Sequence, residues 1–590
     1  MGTIFRTPKF FVGISYPLIF LILGINLYQS FCILRNKGLK IIVTSLLLLL
    51  IGVTIARVYE LNSDQSLTFI PSEYIDIKNW LAYHQDLYRA VWLPRTGKFT
   101  PGETPVWLNT EGWGAPETSL GIRSYYYYGK PMEYLYPFIM RLLEEGKTRS
   151  VAYILSYLGV KYLILHNDYL WDYLQKWVGT AKRNLETSEY FRLAYSTEHI
   201  FVYENLLTAK PVHIATTPIL IDGGLRVLAK LIESTGIDFS NFMVFFTDLQ
   251  LPKDIIYSEN SIVVTDSSND LKFNILTNLL ILKGMEEYIL VPSYFTKGIE
   301  GGKWHPYFVD NPHHADWEVF YTWNYLNISF ENSFKFYWGF IGSTNANEEL
   351  AIPLNLKEGK YMILIRYFKN EKGGNIEIII NNQHIVIQTF GDENRFKWFV
   401  NNFTVSGHNN NKLVIRNIYG RNAINVILVI PSEEFDSLSK EIEDIFNKKI
   451  IILADNLNEM NSFKFEISNK VNLEKIEYSD GVYILNFSVE SDDVNLGITI
   501  PEQYHSGWVI CIHSNCIISS TPHFFVNNFW LNVNQSIKEI RIFFIFQKIW
   551  KVLYIVNLFI ELSLFIIFSY ICLVAPTILN SVSRSSIVRI

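Results

Sequence analysis

The densest concentration of reactive side chains in this 590-residue sequence runs from Trp304 to Glu318, where His305, His313, His314 and Asp316 crowd together. Imidazoles and carboxylates at this density suit a divalent metal ion or acid–base work. Their spacing matches no helical metal motif, no nucleophile neighbours them, and Pro306 and Pro312 mark a loop. A structural, interdomain role is therefore the preferred reading. No cofactor is expected, a divalent cation at this cluster being the one exception. Asp222-Gly223-Gly224 stands where nucleotide folds cradle phosphate, but the full glycine fingerprint and its later acidic partner are missing. A structural turn is preferred there as well. No Ser/His/Asp elbow, P-loop, His-Glu-x-x-His or paired Cys-x-x-Cys occurs, so no strong catalytic constellation is expected.

Other residues carry chemistry of a quieter kind. Cys511 and Cys516 flank a short turn, and in an oxidising exterior they could close a small-loop disulfide. Asn557 and Glu561 lie one turn apart in a strongly apolar segment. A carboxylate there is costly and is expected to face a partner helix or a cavity. Asn327, Asn402, Asn486 and Asn534 each begin an Asn-x-Ser/Thr glycosylation sequon. The formal charge of −6 leaves no basic field to hold phosphates, which argues against a nucleic-acid partner.

The elements that must position these groups fall into distinct patterns. Residues 72–81 read as a capped amphipathic helix, and strands are expected at 88–94, 160–165 and 200–204. Strands and helices alternate from Pro211 to Pro292, the signature of an open parallel sheet. From about 316 to 430 the pattern changes to short strands of period two with a hairpin around 381–383, a β-sandwich of the jelly-roll kind. Residues 450–546 are again rich in strands.

Three stretches, 10–34, 39–56 and 552–575, meet the length and apolarity of transmembrane helices. The basic loop Arg35 to Lys40 places the first turn in the cytoplasm, so parity puts the N-terminus outside without a cleavable signal. Two explanations stay open: the chain continues or truncates a multi-span protein, or the first two segments form a hairpin anchor. The expected architecture is multi-domain α/β plus all-β, with three transmembrane helices flanking a large extracytoplasmic section. Residues 1–59 hold two transmembrane helices, 60–210 an α/β domain, and 211–300 a Rossmann-like unit. Residues 301–435 form the jelly-roll sandwich, 436–548 a β-rich domain, and 549–590 the last transmembrane helix and a cytoplasmic tail. The expected location is the cell membrane.

Three segments carry a resemblance. Tyr157 to Leu165 with Phe201 to Asn205 is the first; the sandwich, with Trp398 and Arg416-Asn417, is the second; Pro501 to Trp508 with Asn527 to Phe529 is the third. Together they resemble the C-terminal exterior region of GT-C-type membrane glycosyltransferases, including YfhO-type and arabinofuranosyltransferase-like proteins. The sandwich is similar to galactose-binding-like carbohydrate modules. The resemblance implies that Trp398 stacks on a sugar ring while Asn417, Asn422 and Asn425 hold hydroxyls; the alternative is a purely structural sandwich whose Trp398 packs in the core. Asn425 stands where related modules often carry Asp. The first expected loop lacks the carboxylate such enzymes need there, so the chain looks like a non-catalytic relative or subunit that binds or positions glycans. A membrane glycosyltransferase using a lipid-linked saccharide, or a cell-surface interaction protein, is the alternative. A multi-span membrane partner is expected at the Asn557/Glu561 face.

Overall fold

The computed structural model describes residues 72–84, 89–94, 132–168, 172–207, 212–290, 305–306, 341–457 and 471–545, apart from short breaks inside these stretches. The first layer is a mixed sheet. Arg89–Leu93 lies parallel to Val160–His166, which pairs antiparallel with Ile200–Asn205, itself antiparallel to Phe191–Ser196. A parallel pair needs a long crossover. The helices Met132–Glu144 and Thr148–Tyr157 lie in it, with Gly146 (φ +74°) turning the chain between them. Asn184, on the helix Asp172–Glu186, donates to the Leu143 carbonyl at 2.7 Å and satisfies one orphan acceptor of the first helix end.

The second layer is a parallel sheet in the order Ile450–Leu453, Ile262–Thr265, Thr217–Asp222, Phe242–Phe246. The three inner-sequence strands are short apolar runs buried along almost their whole length, as parallel strands covered on both faces must be. Its fourth strand comes from far along the chain, after the helix Ser432–Phe446.

Between these two contributions lies a β-sandwich. One sheet contains Ile341–Ser343, Asn422–Pro431, Gly359–Lys369 and Arg395–Val405; the other contains Glu348–Pro353, Lys412–Tyr419, Asn375–Ile380 and Gln383–Gln388. The second sheet alternates as one solvated face demands: Ile376, Ile378 and Ile380 are buried while the residues between them are half-buried. Each buried isoleucine contributes about 1.5–3 kcal/mol by leaving water. The first sheet is covered on both faces. Ile363 and Ile365 face the sandwich core, whereas Leu364, Phe368 and Phe396 join the core of the α/β layers. That double burial explains why Asn422–Pro431 is apolar nearly throughout.

The C-terminal part is a second pair of sheets. Val471–Ser479, Val482–Val489, Glu539–Phe544, Trp508–Ile512 and Asn515–Ile517 form one; Thr521–His523, Val526–Val533, Val494–Gln503 and His213–Ala215 form the other. Tyr483, Leu485, Ile498, Phe529 and Ile542 fill the space between them.

The expected three-span architecture is corrected. Among the described residues no helix is long and apolar enough to cross a membrane, and the architecture is mostly β-sheet with eight α-helices. The longest of these helices have 15 residues, about 22 Å at 1.5 Å per residue against roughly 30 Å of hydrocarbon. The segments 10–34, 39–56 and 552–575, with Asn557 and Glu561, lie outside the described residues.

Candidate functional site

The four residues expected to bind sugar do not form one site. Trp398 lies on the doubly covered sheet and turns toward the helix Ser268–Leu282. Its indole N–H donates to Asn274 Oδ1 at 3.0 Å, its backbone N–H to Asp270 Oδ1 at 3.1 Å, and Phe273 packs 6.0 Å from its ring. Trp398 is half-buried with its N–H spent on the helix, an arrangement that suits packing between layers better than stacking on a sugar. Asn425 is buried on the same sheet and accepts from Arg366 at 3.1 Å.

Asn417 and Asn422 do meet, at one end of the sandwich, and both are buried. Asn422 donates to Asn417 Oδ1 (2.6 Å) and to the Tyr419 carbonyl (2.8 Å), while its own oxygen accepts from the Thr389 hydroxyl and the Gly374 N–H. Asn417 donates to Ser343 Oγ, the Asn345 carbonyl and the Gly420 carbonyl. Both amides are thus spent within the protein, and they act beneath a surface rather than at it. A buried amide satisfied on both ends fixes the loops around it.

Three loops are drawn together by this network: 370–374, 389–391 and 418–422. Thr389 N–H donates to the Gly374 carbonyl at 2.8 Å, Gly391 N–H to the Asn370 carbonyl at 3.1 Å, and Arg421 N–H to the Lys372 carbonyl at 2.7 Å. The approach is close enough to require glycine. A Cβ on Gly374 would collide with the Tyr419 carbonyl, and Gly420, at φ +89°, lies against the Gly373 backbone. On this fastened junction stand Phe390 and Tyr419, 55% and 54% exposed. Glu371, Lys372, Asp392 and Arg421 are exposed around them. Just below, Glu393 is bonded by Lys369 (3.0 Å) and Lys397 (2.6 Å). Burial opposes its ionisation, but the bonds from Lys397 and Lys369 outweigh that and hold it down to about 2.

Sequence reasoning passed over Phe390 and Tyr419. The signal available was local: each aromatic directly precedes a glycine, in Phe390-Gly391 and Tyr419-Gly420, at the end of a strand pattern.

At the C-terminal edge of the parallel sheet, Gly223 has φ +106°, and a Cβ there would meet Val227 and the Asp266 carboxylate. Asp266 pairs with Arg226 and, at 3.1 Å, with Arg395 of the sandwich. The place where a nucleotide fold would receive phosphate is filled by the chain's own carboxylate. Asp222 and Asp248 are buried beside it.

Of the expected cation ligands, His305 contributes backbone to a two-residue strand paired with Ile341–Gly342; His313, His314 and Asp316 lie outside the described residues. Among the described residues, Glu73, Glu198 and His199 bring ligand atoms within 4.8 Å of one another, with His199 Nδ1 and Glu73 Oε1 2.9 Å apart. Cys511 and Cys516 face each other across an antiparallel pair and are disulfide-bonded. Asn402 and Asn534 are exposed and Asn486 is half-buried; Asn327 lies outside the described residues.

No family model matches the chain, and no curated protein matches it. Solved structures with similar parts include a GH26-CBM35 β-(1,4)-mannanase of Podospora anserina, with 15% identity, a TM-score of 0.14, and 16% of this chain covered against 21% of that one. The match therefore spans about a fifth of the mannanase. A carbohydrate binding module from Cellvibrio mixtus lichenase 5A, in complex with cellotriose, is similar at 20% identity with a TM-score of 0.14, covering 15% of this chain and 76% of the module. A CBM35 of Cellvibrio japonicus is similar at 17% identity with a TM-score of 0.15, covering 18% and 77%. Scores at this level concern one module and do not bear on what the whole chain does. The expected kinship with GT-C-type glycosyltransferases has no counterpart among these matches.

Proposed function

We propose that this chain is a glycan-binding protein and that its contact surface is the Phe390/Tyr419 face of the sandwich. One observation carries the reading. Phe390 and Tyr419 are the large aromatics of the sandwich that stand most exposed among its described residues, and both rise from the same loop junction. Leaving two such rings in water costs apolar burial, and exposed apolar groups gathered on a rigid frame mark binding surfaces. Aromatic faces carry negative potential and suit the C–H faces of pyranose rings. The exposed Lys372, Arg421, Glu371 and Asp392 supply hydrogen bonds to hydroxyls at the rim. Disulfides persist in oxidising compartments, so the Cys511–Cys516 bond supports an extracytoplasmic location.

Glycan-array screening of the full chain tests this reading. Binding to a defined set of oligosaccharides that is lost in Tyr419→Ala and Phe390→Ala, but kept in Trp398→Phe, is the expected result. An array with no glycan bound above background, at a concentration where the chain is folded, would sink it.

A further inference from the structure

Three segments far apart in sequence meet where the first sheet's strand Val160–His166 ends. Glu73 lies in the first turn of the helix Ser72–Tyr83, and Asp168 follows the strand. Glu198 and His199 stand at the turn between Phe191–Ser196 and Ile200–Asn205. That turn is fixed from two sides. Thr197 N–H donates to the Ile200 carbonyl at 2.8 Å and closes it, and Asn167 N–H donates to the His199 carbonyl at 2.8 Å. Glu73 Oε2 accepts the His199 backbone N–H at 3.0 Å and the Thr197 hydroxyl. One oxygen of Glu73 is thereby anchored, and the other is held 2.9 Å from His199 Nδ1. Outer hydrogen bonds of this kind orient metal ligands.

Glu73, Glu198 and His199 each offer one ligand atom, all within 4.8 Å of one another. Zinc bonds to nitrogen and carboxylate oxygen are about 2.1 Å long, so ligands at right angles stand roughly 3.0 Å apart and opposed ones roughly 4.2 Å. The Glu73–His199 pair already has the first spacing. Glu198 is exposed, and among the described residues its side chain has no hydrogen-bond or ion-pair partner, so it is free to close the rest. Neither Glu73 nor Glu198 is paired with a lysine or arginine among the described residues. Asp168 adds a third negative charge that His199 feels. Two other His–carboxylate pairs lack these features. Glu377, 2.8 Å from His384, is also taken by Arg416 at 2.7 Å. Asp168 itself has one oxygen on the Tyr74 hydroxyl and the other on His166.

We propose that Glu73, Glu198 and His199 form a divalent metal site that fastens the helix Ser72–Tyr83 to the turn at 197–200. One imidazole with two carboxylates suits a borderline ion such as Zn²⁺, whereas Ca²⁺ and Mg²⁺ take oxygen ligands. The ion would supply the positive charge that the three carboxylates lack. The His199 side chain is 45% exposed and that of Glu73 25%, so water completes the coordination. This site stands on the first sheet and is independent of the Phe390/Tyr419 face.

Calorimetric titration of the chelator-stripped full chain with Zn²⁺ at pH 7.5 tests the site. The expected result is a micromolar or tighter event that raises the thermal midpoint. Glu198→Gln removes a charge without breaking any other bond of the described residues, and it should weaken that event at least fivefold. His199→Ala should abolish it, along with the midpoint shift. Wild-type protein that binds no Zn²⁺ below the millimolar range would overturn the proposal. So would a Glu198→Gln protein weakened less than fivefold, which would place the ion elsewhere, and this outcome is readable even if His199→Ala does not fold.

Discussion

The indole N–H of Trp398 donates to the side-chain oxygen of Asn274 across 3.0 Å, joining a sandwich strand to a helix of the parallel-sheet layer. Trp398 is thus a fastener between layers. Trp398→Phe keeps the ring and loses one hydrogen bond, a cost of about 0.5–1.5 kcal/mol. Denaturant unfolding should register that loss while glycan binding stays within twofold of wild type. A Trp398→Phe protein of unchanged stability but without binding would return this residue to the contact surface.

Asn422 should matter twice. Asn422→Ala strips the amide that ties loops 370–374, 389–391 and 418–422 together and leaves the Thr389 and Asn417 side chains short of partners. The expected cost is about 1–3 kcal/mol, read from equilibrium unfolding, together with loss of glycan binding because the two aromatics are no longer held. Gly374→Ala should reproduce the binding loss by pushing the Tyr419 backbone away.

Glu393 gives the sandwich a pH dependence. Its carboxylate is held down to about 2 against a value near 4 in the unfolded chain. The stability it contributes is present above about 4 and is lost as pH falls toward 2. Acid unfolding of Glu393→Gln should therefore show a shallower decline between those values than the wild type. Superimposable acid curves would show that Lys369 and Lys397 do not stabilise the charge.

The Cys511–Cys516 bond closes a loop with a sequence separation of 5. Chain-entropy reasoning gives so short a loop about 2 kcal/mol. The Cys511→Ser/Cys516→Ser double variant should lose stability on that scale, measured by unfolding under matched conditions. Glycan binding should be unaffected, because the pair sits in the C-terminal sheets and not in the sandwich of Phe390 and Tyr419.

Local periodicity made much of the strand structure legible. The alternation in Asn375–Ile380 shows which residues face a core, because a one-residue slip would turn Ile376, Ile378 and Ile380 outward. The strand of Trp398, Arg395–Val405, is another matter, because period two says nothing about which layer covers a face. That is why Trp398 looked like a sugar platform when a helix lies against it. Ile450–Leu453 reads as a strand, but its parallel partner Ile262–Thr265 lies nearly two hundred residues earlier, a distance no local pattern bridges. Phe390 and Tyr419 were passed over for a related reason: composition treats an aromatic as core, and only the convergence of three loops puts these two in water.

Titration calorimetry with one array-positive oligosaccharide, comparing the full-length wild type with the Phe390→Ala/Tyr419→Ala double variant, tests the central claim most directly. A saturable one-site isotherm for the wild type, weakened at least tenfold in a double variant of unchanged thermal midpoint, is the predicted result. Equal affinity in the two proteins would contradict the assignment of this face as the glycan site.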